Sequence, residues 1–359
     1  MIVDKFLLQT SGSVFLVSDF LKKLDSTMKT DAQMQAVLDQ LAKFNAPPIE
    51  TLSPGNARNV PSVKNAVEEM AADSALIRSK NLLMPSLPEP VSQINHVLIP
   101  SENGEILARV FTPEGDGPFP VIVYFHGGGW VIANLDVYEP SCRRLCNAAE
   151  SIVVSVAYRQ APEYKFPAAV DDAYNALQWV LENASSLNGD PLRVAVAGES
   201  AGANLATVAC LRAKDEESLL PVAQLLIYPV TDSQMNSPSY LEQSDAKPLN
   251  AAMMQWFWGH YLNHSAEGEH AYASPLRAPD LTGLPRAIVI TAELDPLRDE
   301  GEAYAQRLAD AGVMVHTRRY AGVSHEFFGL AGAVSKAKDA VDFAVDNLQQ
   351  VFNREQNNV

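Results

Sequence analysis

The order of apolar segments predicts an α/β protein with a mostly parallel central sheet flanked by helices. Short runs rich in Val or Ile recur at 121–125, 152–156, 194–197, 225–228, 287–291 and 314–320. Helical patterns separate several of them, such as 168–181, where Val170, Tyr174, Leu177 and Leu181 recur at helical spacing, and 300–311. Two further strand-like runs, 91–99 and 105–111, meet across Asn103-Gly104, a dipeptide favoured in tight hairpins. Short apolar strands alternating with helices belong to parallel sheets covered on both faces. The hairpin adds antiparallel strands at one edge.

Upstream of the hairpin, residues 1–85 read as helix and connector. Val14, Val17, Leu21 and Leu24 recur at helical spacing, as do Met34, Val37, Leu38 and Leu41. Pro47-Pro48 and Pro54-Gly55 punctuate the connector, and nothing in this region carries chemistry at recognisable spacing. Almost 60 residues separate Tyr228 from Ala287, the one break in the alternation. They contain the apolar stretch 251–258, with Trp256 and Trp258. A core helix and a lid over a pocket both fit it.

Composition narrows the partners. The chain has 359 residues, long enough for two domains or one large α/β domain, and a formal charge of −16 from 43 acidic and 27 basic side chains. Basic residues cluster only in pairs, so nucleic acid is not expected as a partner. No apolar run approaches the ~20 residues of a membrane span. The amino terminus lacks the positive start and unbroken apolar stretch of a signal peptide. Cys142, Cys146 and Cys210 form no even disulfide framework. Cys142 and Cys146 have the spacing of a zinc half-site without a second Cys/His pair nearby, so buried free thiols are expected, with no metal and no cofactor. A cytoplasmic protein fits these features.

Two motifs carry chemistry. Gly198-Glu199-Ser200-Ala201-Gly202 follows a short strand and precedes a helical run, the context a G-x-S-x-G elbow requires. Such a turn strains the serine backbone and lifts its hydroxyl out of the chain. His126-Gly127-Gly128-Gly129-Trp130 ends the strand 121–125. Its glycines fit neither phosphate-loop pattern, whereas N–H groups free of side-chain bulk suit an oxyanion hole.

A serine nucleophile needs a base, and the base an orienting acid. In the order Ser, acid, His, the candidates after Ser200 are Asp295, with Glu293 and Asp299 as local competitors, and His325. Both Asp295 and His325 follow strand ends, where open α/β sheets build their sites. Asp295 could equally cap the following helix. His260, His264 and His270 lie in the irregular interval and His316 lies within a strand pattern, so position favours His325.

Together these pieces resemble the α/β-hydrolase superfamily, specifically the bacterial hormone-sensitive-lipase-like (family IV) esterases. The matching residues are His126-Gly127-Gly128-Gly129, Tyr158-Arg159-Gln160-Ala161-Pro162-Glu163, Phe166-Pro167-Ala168-Ala169, the pentapeptide at 198–202, Asp295-Pro296-Leu297 and His325-Glu326-Phe327. The resemblance covers about residues 90–350. It implies an α/β-hydrolase fold with a helical cap, Ser200 as nucleophile, His325 as base and then acid, and Asp295 as its orienter. It implies an oxyanion hole from the N–H groups of Gly128, Gly129 and Ala201. It also gives residues 1–85 and 231–275 a shared role as two cap segments, around a catalytic domain of 86–230 and 276–359. Family members often carry Asp or Thr before the nucleophile, where Glu199 stands here.

The expected substrate is a small uncharged ester of short to medium acyl chain. Pocket candidates are Trp130, Met253, Trp256, Phe257, Leu297 and Phe327, for each of which plain packing is as good a reading. An amidase or peptidase would use the same residues, and a non-catalytic relative would have lost part of the triad. Free imidazole titrates near 6.5, so activity is expected to rise through about pH 6 to 7. A homodimer through the sheet edge at 314–320 is a further expectation.

Overall fold

The structure, a computed structural model, describes residues 29–72, 89–102 and 104–357. The helical pattern at Val14–Leu24 and the turn residue Asn103 therefore lie outside the described residues. Eight strands form one sheet: β1 (Gln93–Ser101), β2 (Gly104–Thr112), β3 (Phe119–Phe125), β4 (Ile152–Val156), β5 (Gly189–Glu199), β6 (Ala223–Ile227), β7 (Arg286–Leu294) and β8 (Val315–Ser324). Their spatial order is β1-β2-β4-β3-β5-β6-β7-β8. The β1–β2 and β2–β4 pairs are antiparallel and the remaining pairs parallel.

Strands are longer than their apolar centres. β5 begins at Gly189 and β8 runs on to Ser324, because the polar ends are held by partners of their own. Arg193 donates to Asp190 within β5, and past Tyr320 the Gly322 N–H of β8 donates to Glu293 (2.7 Å). The extension of β8 matters, because it delivers His325 to the same rim as the end of β5.

Helices cover both faces. One core cluster, with Val123, Phe125 and Val196, lies under α4 (Ala168–Asn183), α5 (Ala201–Asp215), α6 (Ala251–Tyr261) and α7 (Arg298–Asp310). The other, with Tyr124, Ala197 and Ile227, lies under α1 (Ala32–Lys43), α2 (Val63–Ala72), α3 (Glu139–Ala148) and α8 (Ser335–Asn357). The stripe Ala337, Ala340, Val341, Ala344, Val345 and Leu348 shows why α8 forms there: three- and four-residue spacing puts every apolar side chain on the sheet side. Asp31 caps α1 by accepting from the N–H groups of Gln33 and Met34. Helix α6 buries Met253, Met254, Phe257, Trp258 and Tyr261 in the first cluster, so the apolar stretch of the irregular interval is core on one side. Its half-buried Trp256 donates to the carbonyl of Leu52, 3.2 Å away, tying the interval to the amino-terminal segment.

Candidate active site

The carboxyl ends of β5, β7 and β8 bring three side chains together. Ser200 sits between β5 and α5 with φ 58° and ψ −120°, a conformation disfavoured for any residue with a Cβ. Two features enforce it. The Ser200 N–H donates to the Ile227 carbonyl (2.9 Å), and the flanking glycines let the chain pass itself. A Cβ on Gly198 would meet the Gly202 carbonyl, and one on Gly202 would meet the carbonyls of Phe125 and His126.

His325 follows β8 and places Nε2 2.9 Å from Ser200 Oγ. Its Nδ1 lies 2.7 Å from Asp295 Oδ2, and Asp295 Oδ1 accepts the Leu297 N–H at 2.9 Å. One Asp295 oxygen thus holds the turn that leads into the next helix, whose N-cap is Leu297, while the other contacts His325. All three side chains are buried. Burial, the largest single influence, pushes the imidazole pKa down, but the charge and hydrogen bond of Asp295 together with the charges of Glu326 and Glu199 outweigh it. The net result stands above 6.5.

The competitors are occupied elsewhere. Glu293 accepts from the Gly322 N–H (2.7 Å), and Asp299 binds Arg298 and the Ser239 N–H (2.7 and 2.8 Å). His264, His270 and His316 are exposed, and His260 packs on Trp256 with centroids 4.4 Å apart.

The glycine loop lies beside this centre. Gly128 and Gly129 have φ 103° and 58°, and the Gly128 carbonyl turns away to accept from Val131 and Ile132. Among the described residues, no acceptor takes the N–H groups of Gly128, Gly129 or Ala201, the last being the first residue of α5. The second matching motif buttresses the loop. Tyr158 donates to the His126 carbonyl (2.8 Å) and stacks on its ring, Gln160 donates to the Ile132 carbonyl (2.8 Å), and the Ala161 N–H donates to the Trp130 carbonyl (2.9 Å). Burial lowers the His126 pKa to about 4, so its ring is neutral. Arg58, which no sequence pattern singles out, clamps the loop from the amino-terminal segment. Its guanidinium donates to the carbonyls of Val131 and Ala161 (both 2.9 Å) and to Glu163.

The pocket candidates divide. Trp130 stacks on Tyr261 (4.1 Å, 4°) in the first core cluster, with Met253, Phe257, Leu297 and the half-buried Trp256. Phe257 lies directly against Gly129, where a Cβ would overlap its ring. Phe327 instead joins the other cluster, 6.0 Å from Tyr228 and 5.4 Å from Tyr320. Glu326, at φ 65°, turns the chain to send it there.

A cavity of about 540 Å³ lies behind the centre, lined by Tyr138, Ser141, Glu199, Glu326 and Phe328 among others. Two of its carboxylates, Glu199 and Glu326, stand next to Ser200 and His325 in sequence. Tyr124 and Tyr228 donate to Glu199, and Tyr138 donates to Glu326 (3.3 Å). Burial pushes both carboxyl groups above the ordinary range, against the pull of these hydroxyls and, for Glu326, of His325. In the sequence, Glu199 stands out only as a departure from the family pattern, Glu326 only as part of a motif, and the three tyrosines not at all. The symmetric placement of an acid beside both nucleophile and base is the signal that points to them. Cys142, Cys146 and Cys210 are buried and free. Among the described residues no three His, Cys, Asp or Glu side chains converge as metal ligands.

A sheet of this order with a strained serine after β5, bonded to a histidine after β8, defines an α/β hydrolase. Residues 122–329 match the alpha/beta hydrolase fold family, and the chain belongs to it. Within that fold it stands among the hormone-sensitive-lipase-like esterases. It is 43% identical over 224 residues to the carboxylesterase NlhH of Mycobacterium tuberculosis, covering 62% of this chain and 70% of that protein. To an ethyl acetate hydrolase of Pseudomonas putida it is 34% identical over 291 residues, 80% of this chain and 91% of the other. A hyperthermophilic esterase from Pyrobaculum calidifontis superposes with a TM-score of 0.78 at 36% identity, covering 90% of this chain and 99% of that one. The described residues contain no helix long and apolar enough to cross a membrane.

Proposed function

We propose that the protein hydrolyses uncharged carboxylic esters of short to medium acyl chain through an acyl-enzyme on Ser200. Membership of the carboxylic ester hydrolases rests on the family and its esterase relatives. The residue-level route rests on one observation, the buried contact series from Ser200 through His325 to Asp295.

Asp295 accepts the Nδ1 proton of His325, leaving Nε2 unprotonated toward Ser200. As Oγ attacks the ester carbonyl, Nε2 takes its proton, and the negative oxygen forms where the N–H groups of Gly128, Gly129 and Ala201 are free to donate. His325 then passes the proton to the departing alkoxide. Water repeats the sequence on the acyl-enzyme, releasing the acid and restoring Ser200.

Phe257 against the glycine loop, with Trp256 packed on it, supports an uncharged acyl group. The acid-rich cavity behind the centre and the −16 net charge disfavour anionic substrates. The Trp256–Leu52 bond and the Arg58 clamp support a cap made of residues 1–85 and 231–275. The edge position of β8 supports a homodimer formed there, and three free thiols support a cytoplasmic setting.

A chain-length series of p-nitrophenyl esters tests the reading, with Ser200→Ala as control. Turnover should fall beyond medium chains and vanish in the variant. Wild-type turnover in the variant would refute it.

A further inference from the structure

We propose that Glu199 and Tyr228 are positioning residues for His325: the carboxylate next to the nucleophile fixes the Tyr228 phenol, and the phenol ring fixes the tilt of the imidazole. This role rests on the triad reading and goes beyond it. Asp295 restrains His325 through one hydrogen bond at Nδ1, which leaves the ring free to tilt about that contact. Tyr228 removes this freedom by covering one face, with centroids 4.5 Å apart and planes at 52°.

Tyr228 is itself held under strain. It follows β6 with φ 37°, a left-handed conformation uncommon for an aromatic residue. Its N–H donates to the Ile290 carbonyl at 2.6 Å, and its hydroxyl donates to Glu199 Oε2. Glu199 Oε1 accepts from Tyr124 at 2.5 Å, so each carboxylate oxygen has its own phenol. Burial raises both phenol pKa values well above 10, which keeps them donors throughout. Strain at a buried site persists only where the surroundings over-determine it, and here hydrogen bonds hold the residue at both ends.

The carboxylate also acts through its charge. Glu199 faces Tyr124 from β3, Tyr138, Ser141 and Cys142 at α3, Tyr228 after β6, and Glu326 and His325 after β8. His325 faces Asp295, Ser200, Tyr228, Glu326 and Glu199. No Lys or Arg forms an ion pair with Glu199 among the described residues, and its charge adds to those of Asp295 and Glu326 in favouring the imidazolium.

A glutamine at 199 would present one acceptor and one donor to two phenols that now both donate, so one phenol must turn to accept and its own proton loses its partner. In the full-length protein, Glu199→Gln should lower kcat roughly 10- to 100-fold with KM nearly unchanged, the cost of a misaligned reacting group. The acid limb of its kcat/KM profile for p-nitrophenyl acetate should move to lower pH, because removing a negative charge makes the imidazolium easier to deprotonate. Tyr228→Phe keeps the ring and should lose less than Tyr228→Leu, which supplies the test if Glu199→Gln fails to fold. An unmoved acid limb with wild-type kcat and only a changed melting temperature would overturn the proposal, as would equal activity in the two Tyr228 variants. Ser200→Ala separates the two readings. If it still turns over, the triad itself falls; if it is inactive while the other variants match wild type, only this proposal falls.

Discussion

His325 Nδ1 and Asp295 Oδ2 lie 2.7 Å apart in a site from which both side chains exclude water. Burial is the largest single influence and disfavours the protonated ring, but Asp295, Glu326 and Glu199 together favour it more. A protonated imidazole cannot accept the Ser200 proton, so activity is lost as pH falls through the His325 pKa. Because that pKa is raised, the acid limb should centre above 6.5, higher than the range expected from free imidazole. A kcat/KM profile against pH measures it directly.

Asp295→Asn should leave the fold intact and lower kcat by about 10⁴, since an amide can settle the imidazole in the wrong tautomer. Burst kinetics with p-nitrophenyl acetate would locate the loss in acylation. A variant within tenfold of wild type would show that Glu293 or Asp299 can serve in its place.

Gly129→Ala places a methyl group against the Phe257 ring at a left-handed φ of 58°. Displacing one oxyanion donor should cost about 10²–10³ in kcat. The double variant with Phe257→Ala should recover part of that loss but not all, because it relieves the clash and leaves the backbone strain. Comparing the single and double variants on one substrate resolves the two contributions.

Asp172, fully buried, accepts from the Arg159 guanidinium and from the Arg159 N–H, each within 3.0 Å. Asp172→Ala removes the partner of the partly exposed Arg159 guanidinium, in the segment that buttresses the glycine loop. It should cost about 1.5–3 kcal/mol of stability, read from urea denaturation. Glu163, by contrast, pairs with Arg58 at the surface, and Glu163→Gln should cost less than about 1 kcal/mol.

The strand-and-helix rhythm and the order Ser200, Asp295, His325 are readable in the sequence because each reactive residue directly follows an apolar strand. Strand ends are less so: at β5 and β8 the polar termini hide the true length, since bonds to Asp190 or Glu293 leave no hydrophobic trace. The tyrosines around Glu199 and Glu326 are hidden for another reason. Tyr138 meets Glu326 across 188 residues, and no local pattern announces a bond of that span. Phe327 shows the limit of proximity in sequence. It stands two residues after the base, yet the left-handed turn at Glu326 sends it into the second cluster, away from Trp130.

Ser200, Asp295 and His325 occupy the rim where β5, β7 and β8 end, while those strands begin on the opposite rim, around Gly189, Arg286 and Met314. The molecule therefore has a working end and a handle. A resin linker or fusion partner joined at the handle would stay clear of Ser200, whereas the same attachment near Arg58 or Leu52 would crowd the segments packed on the glycine loop and Trp256.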